Sequence, residues 1–368
     1  MQVRKCFVIL WFFISIIFVY IPNIAIARQD LVPGSRYTSA RGAAIGDALI
    51  PLADDGASGL FYNPAGLAKI RHFQMELFNF QIQANADYLK ILDRNFYKVF
   101  SLKNYASRVM SKEGSFPGLG AGLFPNFGAR GFAFGIMFSD EFAATNAGND
   151  NIRYRTRALL IPTFGAGFRL AGGVIRVGYS FQWVNQAVGD ITVPVSTDPL
   201  GYTEGLAEGS ALSHNLGVAF TLPVQYLPAI NFVVRNFLNA RFSSFSLIKL
   251  ARNKNGVPNN ELTSYDASFS LAPKIGGGST MNYIIEYRDL TNRSGMHVLG
   301  RISMGLEFNF REKFFLRGGW RSGYLSAGVG MKRKTAEFGL SLFGEEFGSS
   351  YHEQKNTVYL LHYQIRAF

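Results

Sequence analysis

Nucleophilic or metal chemistry in this 368-residue chain would have to start from five histidines, one cysteine and scattered serines. His72, His214, His297, His352 and His362 form no H-x-x-x-H pair, and no serine sits in G-x-S-x-G. Ser213-His214-Asn215 sets hydrolase-type residues side by side. Neighbours on a strand point to opposite faces, so these three do not make a triad among themselves. Gly276-Gly277-Gly278-Ser279 lacks the lysine of a phosphate-binding loop and suits a hairpin turn. Asp54-Asp55 supplies too few oxygens for calcium and suits a turn or a helix N-terminus. Cys6 is the only cysteine and lies in the apolar N-terminal run. The chain therefore reads as no enzyme, with no catalytic residue, no cofactor and no metal site. A serine from another strand meeting one of the histidines is the enzymatic alternative left open.

Charges that recur at regular spacing are of another kind. Arg176, Glu286, Arg288, Arg301, Glu307, Arg311 and Arg317 all fall on the polar parity of segments that alternate apolar and polar residues. In 298–311, Val298, Ile302, Met304, Leu306, Phe308 and Phe310 share one parity, and Arg301, Ser303, Glu307, Asn309 and Arg311 the other. A strand turns its side chains over at every residue, so one face is apolar and the other charged. These charges read as a polar conduction path or, the preferred reading, as ion pairs that fill and stiffen a lumen.

Such segments recur through the chain. Fourteen are expected, near 72–82, 118–125, 130–139, 157–170, 173–186, 211–222, 229–237, 265–274, 280–289, 298–311, 313–321, 323–333, 335–343 and 356–367. Every second connector is short: 125–129, 171–172, 223–228, 275–279, 312 and 334. Most others are long and rich in Gly, Asn and Ser: 89–117, 140–156, 187–210, 238–264 and 344–355. Short turns on one side and long loops on the other are the mark of an all-β, transmembrane antiparallel barrel. The 34 Phe and 17 Tyr fit the aromatic girdles of such a barrel. The apolar residues of 89–109 suggest either an amphipathic helix at the outer interface or a partly ordered loop.

Arg4 and Lys5, the apolar run 6–21 and Ala25-Ile26-Ala27 read as a signal peptide over 1–27, with an N-terminal anchor as the alternative. The charge of +12 becomes +10 when Arg4 and Lys5 leave with the leader. Basic residues are scattered and form no block, which speaks against nucleic acid. Outer-membrane lipid and lipopolysaccharide are the expected contacts. Phe368 suits the C-terminal aromatic read by the barrel-assembly machinery. It is out of phase with Tyr359, Leu361, Tyr363 and Ile365, and a bulge would restore it.

Residues 39–70 are not strand-like. Small residues dominate, Asp54-Asp55-Gly56 interrupts them, and Phe61-Tyr62 leads into Asn63-Pro64-Ala65-Gly66. They read as short helical turns, apolar enough to be buried. A barrel of about fourteen strands is wider than its own side chains fill, so 28–71 is the candidate plug and 72–368 the barrel.

The run 43–46, Ala53-Asp54-Asp55 and Phe61-Tyr62-Asn63-Pro64-Ala65-Gly66-Leu67-Ala68 resembles the start of the FadL-type outer-membrane channels, and among them the short PorV-like members. Fainter echoes are Arg235-Asn236-Phe237-Leu238, Glu286-Tyr287-Arg288-Asp289-Leu290, and 318–321 followed by Gly323-Tyr324-Leu325. The resemblance implies a bacterial outer-membrane protein of fourteen strands with a periplasmic-side hatch. It implies passive passage of a small hydrophobic ligand, which leaves sideways through the wall. Asn63, Pro64 and Ala65 would then form the gate, unless the motif serves only as a folding element that seals the barrel. PorV-like relatives instead hold exported proteins in secretion or surface assembly. That is the alternative function, and the shorter length of this chain keeps it open.

Overall fold

The computed structural model describes residues 36–92, 102–111, 114–195, 201–346, 351–352 and 355–367. The leader, its cleavage site and Phe368 lie outside the described residues.

One antiparallel sheet closes on itself. Its strands are β1 (Gln74–Asn85), β2 (Gly118–Leu123, resumed at Asn126–Ala129), β3 (Phe132–Gly148), β4 (Asn151–Leu170), β5 (Ile175–Pro194), β6 (Ala207–Thr221) and β7 (Ala229–Arg235). They continue as β8 (Ser264–Leu271, resumed at Lys274–Gly276), β9 (Ser279–Tyr287), β10 (Ile302–Phe310), β11 (Phe314–Arg321), β12 (Tyr324–Lys332), β13 (Ala336–Glu346) and β14 (Lys355–Ala367). Each strand pairs with the next and β14 pairs with β1, so the ring of fourteen staves has no free edge. Closure satisfies every ladder group without water, which is what lets a sheet sit in hydrocarbon.

Side-chain alternation decides the faces. Phe78, Phe80 and Ile82 of β1, Leu340 and Leu342 of β13, and Tyr359, Leu361 and Tyr363 of β14 are exposed on the outer wall. Asn79, Ser341, His362 and Gln364 of the same strands are buried inside. Among the described residues no helix is long and apolar enough to cross a membrane, so this outward band is the apolar surface available to lipid.

All fourteen expected strands are present, with corrected ends. The segment 140–156, expected as a loop, is mostly hairpin: β3 and β4 pair up to Gly148–Asn151, with a register shift after Asn146, and turn at Asn149-Asp150, both in the left-handed region. Strand β5 runs to Pro194 where 186 was expected. At 20 residues, β4 and β5 extend ~65 Å and rise ~50 Å at a tilt near 40°, about twice the apolar band of such barrels. Their outer ends stand clear of lipid, and there the alternation fades. Asn185 faces outward yet binds the backbone at Leu247 and Ile248 (2.8 and 3.1 Å), and Glu208 accepts from the amides of Leu250 and Ala251 (3.1 and 2.8 Å). External loops, in place of lipid, cover that wall.

Val298 is not a strand residue. Val298–Arg301 is a 3-10 turn, started by His297, whose ring accepts the amide of Leu299. Part of 89–109 is helical, as α3 (Ala86–Ile91) and α4 (Leu102–Met110), following α1 (Ala40–Ala44) and α2 (Gly56–Phe61) of the N-terminal segment. Tyr88, Ile91, Tyr105 and Val109 pack against Ala144, Ile152 and Tyr154 of the β3–β4 hairpin. Residues 93–101 lie outside the described residues. A register shift does occur near the C-terminal strand. It lies in the partner β1, between Glu76 and Phe78.

Candidate functional site

Residues 36–70 form short turns because every start but that of the 3-10 turn Ile50–Leu52 is capped by a side chain and little bulk intervenes. The Ser39 hydroxyl accepts from the Gly42 amide (2.9 Å). Asp55 accepts from the Ser58 amide at 2.6 Å, and Ser58 reaches back to the amide of Asp55, a capping box that starts α2. Asn63 accepts from the Ala65 amide (3.0 Å) and starts the 3-10 turn Pro64–Lys69, where Pro64 loses no hydrogen bond.

This segment is enclosed by the staves. Two glycine-lined hollows in the inner wall receive it. A Cβ on Gly178 would lie 2.2 Å from the Pro64 carbonyl carbon, and one on Gly217 2.2 Å from Asn63 Oδ1. Across the barrel a Cβ on Gly319 would lie 2.2 Å from the amide nitrogen of Gly46, and one on Gly305 2.7 Å from the Ile45 carbonyl oxygen. Ile45, Leu49, Leu60 and Leu67 are buried between these contacts.

Charge locks the same surfaces. Arg288 donates to Asp47 Oδ2 (2.7 Å) and to the Asp47 carbonyl, and Arg321 reaches the same carboxylate at 3.0 Å. Tyr62 adds a 2.6 Å hydrogen bond. Burial pushes the Asp47 carboxyl up, but the guanidiniums of Arg288 and Arg321 and the Tyr62 hydroxyl outweigh it and hold it below the usual carboxylate range. Glu286 accepts from the Ile50 amide (3.2 Å) and from Arg288 (2.5 Å). Glu307 takes Arg41 at 2.9 Å and Arg317 at 2.8 Å. Arg235, tied to Asp266 at 2.5 Å, donates to the carbonyls of Phe61 and Tyr62. Arg36 donates to Gln182, Ser213 and Asn236 and pairs with Glu261, so the segment is also fixed to the connector after β7.

Five of the seven residues expected in the lumen are buried: Glu286, Arg288, Arg301, Glu307 and Arg317. Arg301 is held by the Asp289 carbonyl (2.8 Å), apart from the N-terminal segment. Arg176 is half-buried near the short-turn end and bonds Thr221 (2.6 Å). Arg311 is a correction. It and Glu312 adopt positive φ in the β10–β11 turn, so its side chain is exposed at the rim. A hairpin between staves needs two such residues, and they end the alternation there. Of the N-terminal residues, Asn63, Pro64, Ala65, Gly66, Phe61 and Tyr62 are buried. Asp55 caps α2, and Asp54 is exposed and pairs with Arg41 at 2.9 Å. The sequence did not single out Asp47, Arg36, Asp266 or the inward glycines. Among the described residues no cluster of His, Cys, Asp and Glu suits a metal. Ser213 faces inward, and His214 faces outward, bonded to Tyr179 (2.6 Å).

Beyond the segment, on the long-loop side, lies a cavity of ≈300 Å³. Arg36 and Tyr37 form its floor. Phe124, Met137, Gln81, Gln83, Glu141, Arg157 and Glu345 line its sides. Beside it β2 breaks. Pro125 has no amide to donate, yet the wall stays joined: the Phe124 amide donates to the Asn79 carbonyl (2.8 Å) and the Pro125 carbonyl accepts from the Ile136 amide (3.1 Å), while the Phe124 ring turns inward against Tyr37 (5.4 Å) and Phe61 (5.2 Å).

No protein-family model and no curated protein matches the chain. Among solved structures it is similar to a mutant of the monoaromatic hydrocarbon channel TodX, with TM-score 0.51 and 10% identity over 89% of this chain and 97% of that one. The P. putida toluene transporter TodX itself aligns at TM-score 0.44, with 11% identity over 89% of this chain and 96% of that one. The chain thus shares the closed fourteen-strand antiparallel barrel fold of the TodX variant, at an identity that speaks for fold alone.

Proposed function

We propose that this chain carries small hydrophobic molecules passively across the outer membrane, with residues 36–71 as a hatch and Asn63-Pro64-Ala65-Gly66 as its gate. The observation that carries the reading is the enclosed N-terminal segment with a cavity directly above it, into whose side the Phe124 ring turns. A structural filler needs no such cavity above it. The TodX variant of similar fold is a monoaromatic hydrocarbon channel, which points the same way, as does the FadL-type resemblance of the N-terminal motif. Ligand would enter between the long loops and rest on Tyr37 and Phe124. Burying an apolar ligand there is favourable by about 25 cal/mol per Å².

The test is uptake of labelled toluene and of a labelled long-chain fatty acid by a host lacking its own channel. Heat-modifiable migration would establish a folded barrel. Uptake above the empty host, altered by Asn63→Ala/Pro64→Ala, is the expected result. A folded barrel that takes up neither compound would sink the channel reading. It would move the assignment to PorV-like holding of exported proteins.

A further inference from the structure

The rim formed by the short turns concentrates its exposed charge along one arc, while Arg130 and Arg169 stand singly at other turns. The turns of β8–β9, β10–β11 and β12–β13 expose Lys274, Arg311, Lys313, Arg333 and Lys334. Glu312 is the one acid in them, and the neighbouring Glu337 is held by Arg366 at 3.3 Å. Among the described residues none of the five cations has an ion-pair partner. The three turns touch one another: Arg311 donates to the Gly277 carbonyl (3.3 Å), and the Lys332 amide to that of Lys313 (2.8 Å). The β6–β7 turn contrasts with them. It has no charge over 222–228 and exposes Leu222, Val224, Tyr226 and Leu227.

Apolar neighbours give the height of these cations. Ile275, Phe310, Phe314 and Met331 are exposed on the outer wall, within one or two residues of the basic side chains. Cations directly beyond an apolar belt sit where acyl chains end and phosphodiesters begin. A soluble acidic partner would have no use for that belt. We propose that this arc binds anionic phospholipid of the periplasmic leaflet, through phosphodiesters of the phosphatidylglycerol or cardiolipin kind. The site rests on the short turns facing the periplasm. It does not depend on what, if anything, crosses the lumen.

The chain would be reconstituted in phosphatidylcholine vesicles carrying a trace of spin-labelled phosphatidylglycerol or spin-labelled phosphatidylcholine. The fraction immobilised at the protein is then read by electron spin resonance. Each cation near an anionic headgroup favours it by about fivefold, so the native chain should prefer phosphatidylglycerol by about fivefold or more. The variant K274Q/R311Q/K313Q/R333Q/K334Q, checked by heat-modifiable migration, should lose that preference. R311K/R333K should keep it, and Arg130→Gln, which removes one isolated cation at another turn, should keep most of it. Inorganic phosphate should compete no better than chloride at equal ionic strength. A neutralised variant that still prefers phosphatidylglycerol overturns the site. Competition specific to phosphate would mark a free-anion site and overturn it too. A native chain without headgroup preference would leave the arc to an acidic protein and reject the lipid.

Discussion

Asp47 is the residue on which most of the internal charge converges. Two guanidiniums and a phenol satisfy a carboxylate that is 1% exposed. Asp47→Ala would leave Arg288 buried without its main partner, and breaking a buried pair in this way costs about 3–5 kcal/mol. Chemical denaturation of the barrel in vesicles should show a loss of that order, and a loss below about 1 kcal/mol would mean the lumen is wet enough to screen the pair. The pH dependence has a definite sign. Asp47 titrates below the usual carboxylate range when folded, so the unfolded chain binds its proton more readily. Its stabilisation is complete at neutral pH and is lost as pH falls below about 4 toward the lowered value, a fall that Asp47→Asn should flatten. The sequence placed Arg288 on an inward face. It gave no hint of Asp47, because 241 positions separate the two and no local pattern links them.

The glycines of β5, β6, β10 and β11 act as an element-scale device: they thin the wall where the Asn63-Pro64 and Ile45-Gly46 turns press on it. Gly178→Ala would put a methyl group inside the contact distance of the Pro64 carbonyl, and overpacking of this kind costs about 1–3 kcal/mol. The barrel ladder can keep its pairing, so the strain should fall on the enclosed segment 36–71. Raised baseline conductance with unchanged heat-modifiable migration is the expected result; an unchanged conductance would show that the wall yields instead. Lys69, near the end of the same 3-10 turn, adds a titration. Burial pulls its ammonium down to about 8. The unfolded chain holds that proton up to the usual lysine value near 10.4, so stability should rise from about pH 8 to pH 10 and Lys69→Met should remove the rise. The strands themselves were legible wherever lipid lies outside and polar groups inside, as in β9 to β14. They became illegible beyond the belt, as in β3 to β5, where Asn185 and Glu208 meet loops and the period of two disappears. The inward glycines were not legible, since what they make room for comes from another part of the chain.

At the scale of the whole molecule, the ring and its contents are separable. All fourteen staves close through their own ladders, β14 on β1, and no residue of 36–71 belongs to a ladder. Removing 36–71 should therefore leave a barrel that still assembles. The freed charges do not oppose this. Glu286, Arg288, Arg235 and Glu307 would lose partners, but they would face water entering a polar lumen, and hydration replaces the ion pairs that burial had required. A barrel of about fourteen strands emptied of its core leaves an aqueous passage. Planar-bilayer recording of the deletion variant should show large, long-lived conductance steps, where the intact chain shows few or none. Small steps in the deletion variant would place the barrier in the long connectors after β5 and β7, and the segment would then be packing for the wall and not its gate.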